Sequence, residues 1–106
     1  LWRYEVTGGR YEEKEYDSVG SGSLFARESL KKSFRPGASR DQALRMVLEA
    51  LADAADEDRG TGGVDTEREI YPRVKTCTSE GIEEISDPQI AEIHRSIIDG
   101  RRRPVE

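Results

Sequence analysis

A single cysteine, Cys77, stands in this 106-residue chain, which excludes an internal disulfide and any zinc centre built from several thiolates. A reducing compartment is compatible with that. Histidine is equally scarce, and His94 has neither an acid nor a second histidine at metal-ligand spacing, so it reads as a residue bordering a helix stripe. No apolar run approaches the roughly 20 residues of a membrane helix. Leu1, Trp2, Arg3 and Tyr4 offer neither the apolar stretch nor the small-residue cleavage site of a secretory signal. Methionine is absent from the start, and the first residues already alternate like a strand in progress, so the sequence reads as a piece of a longer polypeptide. Basic residues are outnumbered, 17 against 22 acidic, and a net charge of −5 repels nucleic-acid phosphates. The only basic cluster, Arg101, Arg102 and Arg103, reads as a solvated tail that favours the dipole of the helix before it.

What is present is one domain or part of one, 34% apolar and 37% charged, with a modest core under a large solvated surface. In residues 1 to 7, Trp2, Tyr4 and Val6 alternate with Arg3, Glu5 and Thr7, the pattern of a strand. Gly8 and Gly9 read as a hairpin turn, and residues 10 to 18 as a more polar return strand ending at Val19. Further on, residues 68 to 78 read as a strand with Ile70, Val74 and Thr76 on one side and Tyr71, Arg73, Lys75 and Cys77 on the other. Pro72 marks an edge or a bulge there. Ser79, Glu80 and Gly81 turn the chain into a short partner strand, Ile82 to Ile85.

Three helices complete the pattern. In the first, residues 24 to 34, Ala26, Leu30 and Phe34 recur at spacing four with Leu24 beside them, and Pro36 and Gly37 end the segment. The second, residues 40 to 57, opens with the capping-box pair Ser39 and Gln42. It places Ala43, Val47, Leu48, Leu51, Ala54 and Ala55 on one face, with Leu44 at its edge. Met46 reads as packing. For the third, Asp87 is the expected cap, Pro88 the first helical position, Ile90, Ile93, Ile97 and Ile98 the buried stripe, and Gly100 the stop. The order strand, strand, helix, helix, strand, strand, helix has no βαβ repeat and implies an α+β fold with antiparallel sheet.

One local feature conflicts with helix stability. The last turn of the second helix carries Asp53, Asp56 and Glu57, with Asp58 behind them, and each exposed acid there opposes the macrodipole by roughly 0.3 to 1 kcal/mol. Asp58 is followed by Arg59, Gly60, Thr61, Gly62 and Gly63. An acid and a hydroxyl three residues apart, on a backbone free to turn, can aim two polar groups at one spot. A second stretch, Val19, Gly20, Ser21, Gly22 and Ser23, precedes a helix, where a serine ordinarily caps the first N–H groups.

Taken together, the stretch Val19 to Ala26 and the Asp58 to Gly63 motif, with Ser21 and Asp58 37 positions apart, resemble the second half of proteasome β subunits. Tyr4, Glu5, Val6, Thr7, Gly8, Gly9, Arg10, Tyr11, Glu12 and Glu13 resemble the actinobacterial branch, and the similarity runs over essentially the whole chain. The resemblance implies the C-terminal portion, residues 1–106, of a single β-subunit domain. Its fold would be the second half of an N-terminal-nucleophile hydrolase αββα sandwich. The nucleophile of that family is the first threonine of the mature chain, which is not in this sequence, with its own α-amine as base. Ser21, Asp58 and Thr61 then hold supporting catalytic positions that orient the amine, Thr61 standing where serine is commoner. No cofactor and no metal are implied.

The implied partners are the remaining half of the β subunit, other β subunits and α-subunit rings, an ATPase ring and unfolded or tagged protein substrates, in the cytoplasm. No nucleic acid and no membrane are among them. The helices at 24 to 34 and 40 to 57 are candidates for contacts between rings. Two other readings are open: the peptidase subunit of the simpler bacterial proteasome relative, which shares the glycine-serine-glycine turn but lacks the Asp-x-x-Thr-Gly-Gly motif, and a non-catalytic assembly or interaction module in which both motifs are only caps and turns. A catalytically silent α subunit lacks the second motif. A processed threonine encoded upstream of Leu1 separates peptidase from module. The segment by itself is expected to be inactive and to leave sheet edges unpaired, so that it pairs with its missing half or with itself. Sedimentation velocity on a dilution series is expected to show association that weakens with dilution; a monomer at every concentration would contradict it.

Overall fold

The computed structural model of the chain describes residues 2–4, 10–12 and 15–101. The strands β1 (Trp2–Tyr4) and β2 (Arg10–Glu12) pair antiparallel, with Trp2 opposite Glu12, Arg3 opposite Tyr11 and Tyr4 opposite Arg10. That register fits a hairpin, although the expected Gly8 and Gly9 turn lies outside the described residues. Sequence pattern extends the return strand to residue 18, but residues 15–19 contain no strand. Their polar groups are committed to the helix that follows. Arg27 Nη2 donates to Asp17 Oδ1 and to the Ser18 carbonyl, each at 3.2 Å, and Ser18 Oγ donates to the Ser23 carbonyl at 2.7 Å. The Tyr16 ring packs on Phe34 with centroids 5.4 Å apart.

Helices α1 (Ser23–Ser33) and α2 (Arg40–Glu57) pack on each other. The capping box at the start of α2 forms as expected: Gln42 N–H donates to Ser39 Oγ at 3.2 Å, and Ser39 N–H donates to Gln42 Oε1 at 2.9 Å. The buried face of α2 departs from the expected stripe. Leu44, placed at the edge by periodicity, is buried with Leu48, whereas Val47 is 46% exposed. The helix is covered on two sides, so a single-face reading is rotated. Leu44 and Leu48 meet Ile85, Ile90 and Ile97 in the main core, edged by Val64, Tyr71, Val74 and Ile93. The small side chains of Ala50 and Ala54 are also buried, and Ala54 sits where the start of α1 approaches closely.

The second hairpin is β3 (Lys75–Thr78) with β4 (Gly81–Glu84), in a register that sets Lys75 opposite Glu84 and Cys77 opposite Ile82. The strand expected from residue 68 begins only at Lys75. Ahead of it Asp65 and Ile70 exchange two backbone hydrogen bonds of 2.9 Å and close a tight loop, with Glu69 at a φ of +56°. That loop leaves Ile70 53% exposed instead of beside Val74. The sheet pattern therefore fails where the chain folds back on itself. Beyond β4, Ile85 donates its N–H to the Val74 carbonyl at 2.9 Å and enters the core.

Helix α3 (Asp87–Arg101) is capped one residue earlier than expected. Ser86 Oγ accepts the Gln89 N–H at 3.4 Å and the Ser86 carbonyl accepts the Ile90 N–H at 3.0 Å, so Asp87 is the first helical residue instead of the cap. Gly100 does not stop the helix, which continues through Arg101. Arg101 is no free tail. Its guanidinium bonds Asp53, and its Nη1 reaches Asp56 Oδ2 at 3.2 Å, joining the ends of α3 and α2. Arg102 and Arg103 lie outside the described residues. Further ties run from Arg40 to Glu83 at 2.7 Å and from Arg45 to Ser96 at 2.9 Å.

The α+β expectation is met by three helices and two antiparallel strand pairs among the described residues. None of those helices is long and apolar enough to cross a membrane. Because Ile90 is 0% exposed and Val47 is not buried, Ile90→Ala is expected to cost about 2–5 kcal/mol in urea unfolding. Val47→Ala is expected to cost about 0.5 kcal/mol or less. Equal losses would return the core to the face of α2 that periodicity favours.

Candidate functional site

Helix α2 ends at Glu57, and Asp58 turns out of it in an extended conformation, φ −128° and ψ 119°, while its N–H still donates to the Ala54 carbonyl at 2.9 Å. The chain then reverses: the Thr61 N–H reaches the Asp58 carbonyl at 3.2 Å. That turn brings the Thr61 side chain back over the helix end, where Oγ1 donates to Asp58 Oδ2 at 2.7 Å.

The third side chain arrives from the start of α1. Gly20 takes a φ of +99°, a conformation glycine adopts without steric cost, and Gly22 stands at the N-cap. No side chain caps the helix. The ordinary role of Ser21 and Ser23 as caps is thus unfilled; the Ser23 N–H goes to the Gly20 carbonyl at 3.1 Å instead. Ser21 Oγ donates to Asp58 Oδ2 at 2.6 Å, across 37 positions of sequence. The structure brings Ser21, Asp58 and Thr61 together on one carboxylate oxygen.

Both bonds have the short length of hydroxyl-to-carboxylate hydrogen bonds. They hold the Asp58 carboxyl below the usual carboxylate range, the Ser21 hydroxyl contributing most and the Thr61 hydroxyl next. Desolvation opposes them, and the Gly60 and Thr61 backbone N–H groups add to the lowering. Asp58 is therefore ionised at neutral pH. An ionised carboxylate only accepts, whereas a hydroxyl donates one proton and keeps two lone pairs. With their protons committed to Asp58, both hydroxyl oxygens are left as acceptors. The cluster suits a ligand that presents N–H groups and positive charge.

Three of the four acids that opposed the α2 dipole have partners here: Asp53 and Asp56 meet Arg101, and Asp58 meets two hydroxyls. Sequence reading missed the Arg101 clamp. The available signal was the spacing of Asp53 and Asp56, which puts two acids on one helix face facing a third helix's basic end. His94 stands apart from the three-residue cluster, its pKa lowered by burial first and by Arg101 second, with Asp56 opposing. Among the described residues no group of three or more His, Cys, Asp or Glu side chains is placed to hold a metal.

A family profile described as "Proteasome subunit" matches residues 1–67. The chain is 54% identical over 99 residues to a proteasome subunit beta of Rhodococcus erythropolis, covering 92% of this chain and 34% of that protein. It is 44% identical over 101 residues to a proteasome subunit beta of Stackebrandtia nassauensis, and 48% identical over 101 residues to one of Streptomyces griseus. Each of these two alignments covers 95% of this chain and 36% of the relative. The chain spans about a third of the length of the curated relatives it matches.

Asp58 gives the site a defined pH response. Its folded pKa is depressed, so its stabilising contribution is complete above the unfolded value near ~3.9 and is lost as pH falls through the folded value. In a carbon-13 titration of the Asp58 carboxyl, Ser21→Ala and Thr61→Val are each expected to raise the midpoint toward ~3.9. A midpoint unmoved by both would mean that the hydroxyls do not hold the charge.

Proposed function

The chain belongs to the proteasome subunit family, and from that premise we propose that it is the C-terminal part of a β subunit acting as a threonine-type endopeptidase. The fold of the family is the N-terminal-nucleophile hydrolase sandwich, and the α+β elements of this chain are its share of it. The observation that carries the functional reading is the direction of two hydrogen bonds. Ser21 and Thr61 both donate to Asp58 Oδ2, which leaves their oxygen lone pairs to accept from an N–H donor. The donor we assign is the α-amine of the threonine nucleophile, supplied by the part of the subunit that precedes this segment.

An α-amine has an ordinary pKa near ~8, so at neutral pH its surroundings decide whether it can take a proton. In the proposed reaction the threonine hydroxyl attacks the scissile carbonyl and its proton passes to the α-amine. The resulting ammonium donates that proton to the leaving peptide amine. Water, deprotonated by the same amine, then hydrolyses the acyl-enzyme ester and regenerates the hydroxyl. Ser21, Asp58 and Thr61 orient the amine and stabilise its protonated form, as the buried aspartate of a serine triad steadies the imidazolium. They are supporting residues and make no covalent bond.

The same reading gives the assembly. β subunits of this kind form rings between α-subunit rings, enclosing a chamber in the cytoplasm into which an ATPase ring feeds unfolded or tagged proteins. Helices α1 and α2 are the proposed ring contacts. In the complete subunit, Asp58→Asn is expected to lower peptide turnover on the order of 100-fold or more and to slow propeptide removal. Native gels of the same variant are expected to show intact rings. Loss of assembly in step with loss of turnover would make Asp58 a structural residue and end the catalytic reading.

A further inference from the structure

The glycines flanking the three-residue cluster fall into two kinds. Gly20 has a positive φ of +99°, and a Cβ built on it would meet nothing within 4 Å. Its role is conformational. Gly22 and Gly60 are the reverse case: neither is among the positive-φ residues, and Gly22 sits at φ −90° and ψ 9°, which any residue can adopt. Space is what excludes a side chain from them. A Cβ at Gly60 would lie 2.6 Å from Ser21 Oγ and 3.4 Å from Asp58 Oδ2. A Cβ at Gly22 would overlap Thr61 Oγ1 and stand 3.2 Å from Ala54 Cβ and 3.3 Å from Thr61 Cβ.

The two glycines therefore face different donors. Gly60 lies against the Ser21 hydroxyl and Gly22 against the Thr61 hydroxyl. We propose that Gly60 and Gly22 are positioning residues, each holding open the space that one hydroxyl needs to reach Asp58 Oδ2. This deepens the catalytic reading above and rests on it for its functional consequence, though the geometric part stands on its own. The burial of Gly22 supports it, because an added methyl there has no outward path.

The assignment predicts a pattern of pairwise dependence that a general packing role would not produce. In the complete subunit, with aspartate carboxyls labelled with carbon-13, Gly60→Ala is expected to raise the Asp58 titration midpoint as Ser21→Ala does. On the Ser21→Ala background it is expected to add nothing, because Oγ is no longer there to be displaced. Gly22→Ala is expected to act likewise with Thr61→Ala, and Gly60→Ala combined with Thr61→Ala to raise the midpoint beyond either alone. Turnover of a fluorogenic peptide should fall about 100-fold in Gly60→Ala, the cost of displacing a positioning group by about an ångström. It should change less than about twofold when Gly60→Ala is added to Ser21→Ala.

An Asp58 midpoint unmoved by both Gly60→Ala and Gly22→Ala overturns the proposal. So does a further shift of similar size when Gly60→Ala is placed on Ser21→Ala. Should Gly60→Ala fail to assemble, the Ser21→Ala/Gly60→Ala pair is expected to assemble, and failure of both again overturns it. If Asp58→Asn and Ser21→Ala leave turnover at the wild-type level, it is the catalytic reading that falls, and the titration still decides the role of the glycines.

Discussion

Asp58 is a carboxylate at the wrong end of a helix, and much of this structure follows from how its charge is accommodated. The C-terminus of α2 carries unsatisfied carbonyl groups and partial negative charge. Donors aimed at a carboxylate placed there offset that repulsion. Ser21 and Thr61 supply them at 2.6 and 2.7 Å. The arrangement requires the start of α1 to lie against the end of α2, the chain to reverse immediately after Asp58, and two small residues at the points of closest approach. Each requirement is met by a glycine within two positions of a donor or of the acid itself.

The same acidic helix end explains the position of α3. Arg101 reaches Asp53 and Asp56 from the far end of that helix, while Ile90 and Ile97 fasten its body to Leu44 and Leu48. These ion pairs lie at the surface, half-buried on the Arg101 side, and surface pairs contribute modestly, about 0–1 kcal/mol each. Burial of the isoleucine stripe contributes more, about 1.5–3 kcal/mol per side chain. The charges join the ends of α2 and α3 beside the apolar contacts. Helix α2 thus serves both halves of the segment, offering Ala54 to the start of α1 and leucines to the core under α3.

Much of this arrangement was legible in the chain. Periodicity located all three helices, the Ser39 and Gln42 capping box formed at the expected residues, and the second hairpin turns where Ser79, Glu80 and Gly81 were expected to turn it. The errors share a cause, which is that local patterns do not record what a segment packs against. Residues 15–19 alternate plausibly as a strand, yet Asp17 and Ser18 find better partners on Arg27 and Ser23. Val47 lies on the expected face of α2, yet the side that α3 and the chain around Val64 and Val74 cover runs through Leu44. Asp87 and Ser86 are both competent caps, and one hydroxyl position decided between them. Ser21 is the instructive case, for its place ahead of a helix marks it as a cap when only neighbours along the chain are considered.

By itself the sequence determined the inventory: which segments are helical, where the chain must turn, that an acid and a hydroxyl stand three residues apart, and which family of proteins the two motifs resemble. These are properties of short stretches, settled by backbone sterics and side-chain spacing over a few residues. Only the tertiary structure decided that Ser21, Asp58 and Thr61 share one oxygen atom, that Gly22 and Gly60 are small for reasons of space and not of dihedral angle, and that Arg101 belongs to α2 as much as to α3. Distances across 37 and 48 positions depend on how helices pack. That packing is set by the fit of Leu44, Leu48, Ile90 and Ile97 to one another, which no local pattern encodes.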